Sequence, residues 1–557
     1  MESRALLAVV LSILVLVVFQ YFVGQKVPYQ KTEKPVAEKL EESAPAGEAV
    51  VKGEHAEDGG AAVSDSRIET VTEAGLRPET AQTPGRDIIV DTDLYRMVLS
   101  ENGAAVKSFQ LLRHSSGVSD DTPFDLINTA PPALPLVIRL DSSPPVDMAS
   151  AFFEADRDRI VLKKEGDESR LTFTSRLSDG SMVKKVYMFR QGSYWIDMSV
   201  SMTGNQSAGA TVFLYSRMYS EDTGYSFSGP SYYADNKLQE VTLDKPGETI
   251  SFTGQPDWVG LGDNYFLTAL VPEGGQEAWS VRIAKDINNL FQVQLSSLKS
   301  VPLNSVQGTV LLQLGMYFGP KEMDQLKAAG HNLSKSIDFG WFDLIAKPLL
   351  YFLKFMHKYI HNYGIAIILV TVLIKIVFWP LAQKSAKSMK TMQKLQPKLA
   401  KLKEKYGDDK EAMNRELMQL YKTYKVNPMG GCLPMLLQIP VFFALYKVLL
   451  QSITLRHAPF MLWINDLSAP DRLMIPGVEI PYLGGIPVLT ILMGLSMWLQ
   501  QKMSPSALDP TQAKIMQFLP VVFTFMFINF PAGLVLYWLT NNILTIGQQY
   551  YTNKFID

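Results

Sequence analysis

Two hydrophobic patterns divide the chain. Between about 86 and 330 apolar and polar residues alternate, as at Ile196, Met198, Val200 and Met202, which is the period of a half-buried strand. Asp179-Gly180 sits between two short apolar runs, where it predicts a hairpin turn. Strand after strand with no helical period predicts a large antiparallel β-sandwich over 86–335. From about 340 the pattern becomes one of long apolar runs, at 365–381, 430–450, 483–499, 515–530 and 532–546. A further run, 5–23, follows Arg4 and as a helix reaches about 28 Å, close to the hydrocarbon thickness of about 30 Å. These six runs predict six membrane spans, five of them in the C-terminal half.

The segments between the runs have patterns of their own. Residues 25–85 are rich in Ala, Glu, Pro, Gly and Lys and nearly free of aromatics. They cannot bury enough apolar surface to order themselves and read as a tether. Over 336–360, Trp341, Phe342, Leu344, Ile345, Leu349, Phe352, Leu353 and Met356 interleave with Lys347, Lys354 and Lys358, the mixture of a helix lying in a membrane interface. Over 384–425, Lys387, Lys390, Lys394, Lys398, Lys401 and Lys405 recur at spacings of three and four, beside an apolar stripe of Met392, Leu395, Leu399 and Leu402. Gly407-Asp408-Asp409 breaks that pattern, and Met413, Leu417, Leu420 and Tyr424 begin another. The expectation is an antiparallel helical hairpin, bent at Pro397.

Charge sets the topology. The chain has 557 residues and a formal net charge of -2, so bulk charge points neither to DNA nor to an acidic partner. Residues 383–429, however, hold 12 Lys or Arg against 5 Asp or Glu, and the positive-inside rule puts such a loop in the cytoplasm. Both termini are then cytoplasmic and 24–364 lie on the far side, which in a bacterial inner membrane is the periplasm. The run at 5–23 is long for a signal peptide and no small-x-small site follows in 20–25, so a retained anchor is expected. The resulting division is an anchor (1–24), a periplasmic linker (25–85), a β-sandwich (86–335), an interfacial helix (336–360) and a core (361–557).

Catalytic signals are scarce. The one cysteine, Cys432, lies in an apolar run, and of six histidines only His114 falls among the strands. A scaffold or docking surface is the preferred reading of the β domain, and the chain is not expected to be an enzyme or to need a cofactor. His357 and His361 stand one helical turn apart, but with no third ligand they read as a polar edge rather than a metal site.

The informative polar residue is Lys375, inside the 365–381 run. A charge near the bilayer centre costs at least about 2.5–3.5 kcal/mol and is a functional hypothesis by default. Thr371 lies one turn before it on the same face. Lys384, the first cation of the cytoplasmic loop, is about 13 Å further along the axis, too far for snorkelling. Gln438 beside Pro440, Gln500 and Gln501, and Thr540, Asn541, Asn542 and Thr545 supply further polar groups for a wet cavity. Lys447 is a weaker case, being about one turn from Gln451 and Ser452. The last two runs reach only about 24 Å, which predicts a thinned bilayer beside them. A solute transporter suits these features less well, because no internal duplication is visible.

Lys425-Val426-Asn427-Pro428-Met429-Gly430-Gly431-Cys432, Gln438-Ile439-Pro440, Ala458-Pro459-Phe460, Gln501-Lys502-Met503-Ser504-Pro505, Asp509-Pro510 and Pro531-Ala532-Gly533-Leu534-Val535-Leu536-Tyr537 resemble the YidC/Oxa/Alb membrane protein insertases over 340–551. The outer domain, with Trp258-Val259-Gly260 and Gly319-Pro320, resembles that of the family's Gram-negative branch, a β-sandwich similar to sugar mutarotases without their catalysis. The resemblance implies an insertase that acts on nascent membrane proteins, alone or with the Sec translocon, without nucleotide hydrolysis. It implies a groove containing Thr371, Lys375 and Tyr537, whose cation attracts a substrate's acidic tail; Gln438 and Asn541, from the polar groups of the apolar runs, are expected to line the same groove. Where the family usually carries arginine this chain has Lys375, which keeps the charge and loses the forked donor geometry. Residues 552–557 hold one lysine, so ribosome docking, like attraction to anionic lipids, is expected to fall to the hairpin. An assembly chaperone without translocation is the runner-up.

Overall fold

The computed structural model describes residues 85–118, 121–204, 209–217, 227–273, 278–298, 309–406, 409–424, 433–477, 480, 483–503 and 510–555. The anchor at 1–24, the linker up to residue 84, Cys432 and the 425–431 motif lie outside the described residues.

The alternating half of the sequence forms sheets. Among the described residues, strands between Asp87 and Pro320 make sheets of nine, six and five strands. In the largest sheet Thr309–Pro320 is central, paired antiparallel with Phe266–Pro272 on one side and Trp195–Thr203 on the other. Ile196, Met198, Val200 and Met202 are all buried while Asp197, Ser199 and Ser201 are half-buried, so the predicted alternation holds. The Asp179-Gly180 hairpin is also present, with Gly180 at φ +84° and Asp179 Oδ1 accepting from Ser181 N at 2.9 Å. Two features differ from an antiparallel sandwich. A third sheet packs with the other two, and in it Asp87–Asp91 pairs parallel with Arg159–Val161. Residues 92–158 supply the long connection that parallel pairing requires. Gly315 is fixed by packing, since a Cβ there would sit 1.9 Å from the Trp195 ring.

Helices α1 (Met323–Ala329) and α2 (Asp343–Ile360) follow the strands. Lys327 Nζ donates to Tyr351 OH at 2.8 Å and Lys354 Nζ lies 3.2 Å from Asp324, so α1 fixes α2 to the base of the β domain. Ala346, Leu350 and Leu353 of α2 are buried, whereas Leu344, Tyr351, Phe355 and Tyr359 are exposed beside a fully exposed Trp341. An apolar stripe facing outward is what an interfacial helix needs.

Helix α3 (Tyr363–Tyr406) joins the expected second span to the first hairpin helix without a break, running through Pro380 and Pro397. At 1.5 Å per residue it is about 66 Å long. Its Tyr363–Met392 portion is long and apolar enough to cross a membrane by itself. Helix α4 (Lys410–Thr423) returns along it, capped by Asp409, whose Oδ1 accepts from Glu411 N and Ala412 N. Met392 and Leu395 are buried against Leu399 and Tyr421. Tyr421, rather than the expected Tyr424, makes that contact, because Tyr424 faces Lys398 instead.

The remaining apolar runs form α5 (Leu433–Gln451), α6 (Val488–Met503), α7 (Pro510–Phe527) and α8 (Ala532–Phe555). Helix α6 begins five residues later than the run at 483–499 because the buried Asp471 carboxylate accepts from Thr490 N at 3.3 Å and also from Leu489 N, capping its first turn from a distance. Helix α8 has 24 residues, about 36 Å, and so is not short. Its backbone stays helical past the apolar run, so the thinning expected from run length does not follow from helix length. Ile376, Val377, Leu495, Trp498, Phe518, Phe525 and Ile543 are among many large apolar side chains left exposed around the bundle. Water would penalise such a surface, and lipid would not.

The loop after α5 ties the bundle to the β domain. Arg456 Nη1 donates to Ser115 O at 2.8 Å, its guanidinium stacks on Phe124 and Phe266, and His457 Nδ1 lies 3.1 Å from Ser115 Oγ. Asn362, at the head of α3, donates to Phe460 O of the same loop at 2.9 Å. The β domain therefore meets one end of α3, and the hairpin occupies the other.

Candidate functional site

Lys375 points from α3 toward α8, where its Nζ donates to Thr545 Oγ1 at 2.7 Å. That hydroxyl donates in turn to Asn541 O at 2.6 Å. Among the described residues Lys375 has no carboxylate partner. Its charge is met by a neutral oxygen and whatever solvent enters, which leaves it available to an incoming anion.

Tyr537, Asn541 and Thr545 stand at i, i+4 and i+8 on α8, and Gln548 and Thr552 continue the same seam. Tyr537 is 1 % exposed, and its hydroxyl accepts from Gln438 Nε2 of α5 at 3.3 Å. Gln548 is buried, and among the described residues its Nε2 has no acceptor. A buried amide donor in that position calls for water. The seam thus links α3, α5 and α8 by polar groups, with Lys375 near its middle.

Not every expected residue joins it in the same way. Thr371 is 1 % exposed and donates to Ile367 O of its own helix at 2.7 Å, which satisfies its proton locally. Asn542, expected in the wet cavity, lies a helical step of about 100° from Asn541 and donates to Ser496 Oγ of α6 at 2.9 Å. It fastens α8 to α6. Gln500 and Gln501 occupy the last turn of α6. Thr545 is the seam residue whose direct bond to Lys375 the sequence alone did not single out. Its signal was the i+4 spacing from Asn541.

On the hairpin, Lys387, Lys394, Lys398, Lys401 and Lys405 are exposed and Lys390 is half-buried. Lys398 bonds the Tyr424 hydroxyl, and Lys405 lies 5.0 Å from the Tyr406 ring. The stripe is a solvated cationic face set on an apolar seam. His357 stacks on Tyr363 at 3.7 Å between ring centroids, and among the described residues no group of His, Cys, Asp and Glu could hold a metal.

Comparison with known proteins follows the same division. The family model described as "60Kd inner membrane protein" matches residues 355–557, and the model described as "YidC periplasmic domain" matches 87–352. A membrane protein insertase YidC of Pelobacter propionicus is 42% identical over 577 residues, covering 100% of both chains. The insertase of the same name from Syntrophus aciditrophicus is 42% identical over 567 residues, again covering 100% of both. Among solved structures, an active YidC insertase with its first transmembrane domain resolved is similar at a TM-score of 0.36 and 18% identity, covering 86% of this chain and 95% of that one. With full-length identity of this order to curated relatives and both halves matched by the corresponding models, the chain belongs to the YidC family of membrane protein insertases.

Proposed function

We propose that the chain moves transmembrane segments and short polar tails of nascent membrane proteins into the bacterial inner membrane along the seam that α8 makes with α3 and α5. The observation that carries this reading is Lys375, held by Thr545 at 2.7 Å with no counter-carboxylate among the described residues. An acidic tail is drawn to the cation, and the water that the buried Gln548 amide calls for lowers the cost of passing polar backbone. The hydrophobic segment then leaves sideways into lipid. No covalent step, nucleotide or cofactor is needed.

The topology proposed is six spans with both termini in the cytoplasm, the β domain in the periplasm and α2 in the outer interface. It is supported by the basic hairpin lying at the opposite end of α3 from the β domain, and by the exposed apolar stripe of α2. The exposed lysines of the hairpin suit the ribosome and anionic headgroups, and the β domain offers a docking surface to other machinery, the Sec translocon included. The domain limits proposed are those read from the sequence, with the core and the first hairpin helix sharing α3.

The test is to deplete the native protein and follow a two-span substrate with an acidic tail by protease protection, in cells supplied with wild type, Lys375→Ala or Lys375→Arg. Wild type and arginine are expected to restore tail translocation and alanine to lower it by about tenfold or more. Alanine working equally well would remove the cation from the mechanism.

A further inference from the structure

A cavity of about 410 Å³ lies between the start of α2 and the outer half of α5, lined by Phe339, Trp341, Phe342, Ile345, Pro440 and Lys447. It is separate from the Lys375 seam. Its size falls within the range of about 300–1,000 Å³ usual for small-ligand sites. Pro440, Phe443 and Lys447 follow at spacings of three and four and share one face of α5. Phe342 stacks on Phe443 with ring centroids 5.6 Å apart, which closes one wall.

The order of chemistry along this wall is directional. Lys447 stands one turn before the end of α5 at Gln451, and just beyond that end Arg456 and His457 bond Ser115 of the β domain. The ammonium therefore marks the outer end of the slot. Pro440, seven residues deeper, lies about 10 Å further toward the bilayer centre. Lys447 makes no ion pair among the described residues. Fully exposed Trp341 at the rim suits the headgroup level.

One cation at the mouth and an aromatic and aliphatic wall beneath it reproduce the profile of a phospholipid in the outer leaflet. We propose that this slot binds one anionic phospholipid, its phosphate on Lys447 and one acyl chain along Phe342, Ile345 and Pro440. A free phosphate would leave the apolar wall uncovered. The proposal rests on the reading of α2 as an outer-interface helix. It gives the lipid a fixed place between the base of the β domain and the third span, on the opposite side of the membrane from the hairpin.

The experiment uses the full chain in phosphatidylcholine vesicles doped with a photoactivatable acyl-chain probe, carried either on phosphatidylglycerol or on phosphatidylcholine, with labelled residues mapped after irradiation. Phe342, Ile345 and Pro440 are expected to take the phosphatidylglycerol probe about fivefold more than the phosphatidylcholine probe. Lys447→Gln should abolish that excess and Lys447→Arg should keep it. Phe355 and Tyr359, on the outward stripe of α2, should be labelled by both probes alike in every variant, which also reports that the variants fold. Equal labelling of the slot by the two probes, or an excess indifferent to Lys447→Gln, overturns the lipid site while leaving α2 in the interface. Displacement by soluble glycerol phosphate identifies a phosphate site and overturns the lipid assignment. Failure to label Phe355 and Tyr359 overturns the interfacial reading of α2, and the lipid site with it.

Discussion

Single residues divide into those whose chemistry shows in the sequence and those whose partners do not. Lys375 was legible because a charge inside an apolar run has no cheap explanation. Its partner Thr545 was one threonine among several. Thr545→Val keeps the volume and removes the acceptor at 2.7 Å. Tail translocation is expected to fall by about two- to fivefold, less than for Lys375→Ala, because water can replace one neutral oxygen. Thr371→Val is expected to leave stability within about 1 kcal/mol, since that hydroxyl bonds only its own helix. The fully buried Lys185 gave no signal beyond its parity with Val183 and Tyr187 in Met182–Arg190. Its Nζ donates to Ala104 O at 2.8 Å and to Leu136 O. Burial drives its ammonium well below the ordinary value of 10.5. Between that lowered value and 10.5 the unfolded chain binds more protons, so stability rises with pH. Lys185→Met should cost about 1–3 kcal/mol by removing the donor to Leu136 O, Ala104 O keeping the Tyr187 hydroxyl at 2.8 Å, and should flatten that alkaline slope in thermal unfolding of the full chain.

Elements were more legible than partners. The alternation of apolar residues marked the strands, and Gly407-Asp408-Asp409 marked the hairpin tip, because both signals are local. What the sequence could not show was continuity, as when the span and the first hairpin helix fuse into α3, or capping from afar, as when Asp471 sets the start of α6. Close packing between helices was equally hidden. A Cβ on Gly494 of α6 would lie 2.0 Å from Thr524 Oγ1 of α7, so the two helices approach through that glycine, as small residues permit in membranes. Gly494→Ala should destabilise the bundle by about 1–3 kcal/mol in detergent unfolding, and Thr524→Ala on the same chain should recover most of the loss. Equal loss in the single and double variants would place the strain elsewhere.

At the scale of the whole molecule the decisive contact joins segments some 340 residues apart, which no local pattern reveals. Arg456 and His457 of the bundle meet Ser115 of the β domain, and His114 sits beside them with its ring edge to Phe266, at 6.0 Å between centroids. Burial first, then the cations Arg456, Arg113 and His457, pull His114 from 6.5 down to about 4. The neutral imidazole of the folded state thus binds fewer protons than the unfolded one between those values. The stability it contributes is full above pH 6.5 and is lost as pH falls toward 4, by on the order of 1–3 kcal/mol given its partial exposure. A protonated His114 also faces the Arg456 and Arg113 guanidinium groups at the joint, so loosening should begin there. Hydrogen exchange on the full chain is expected to show protection around Ser115 and 455–460 falling between pH 7 and pH 5. His114→Phe keeps the ring against Phe266 and removes the titration, and should hold protection nearly constant over that interval. Parallel loss in wild type and His114→Phe would shift the acid sensitivity to His457, whose own value burial and Arg456 also lower. The joint would then be governed from the bundle rather than from the β domain.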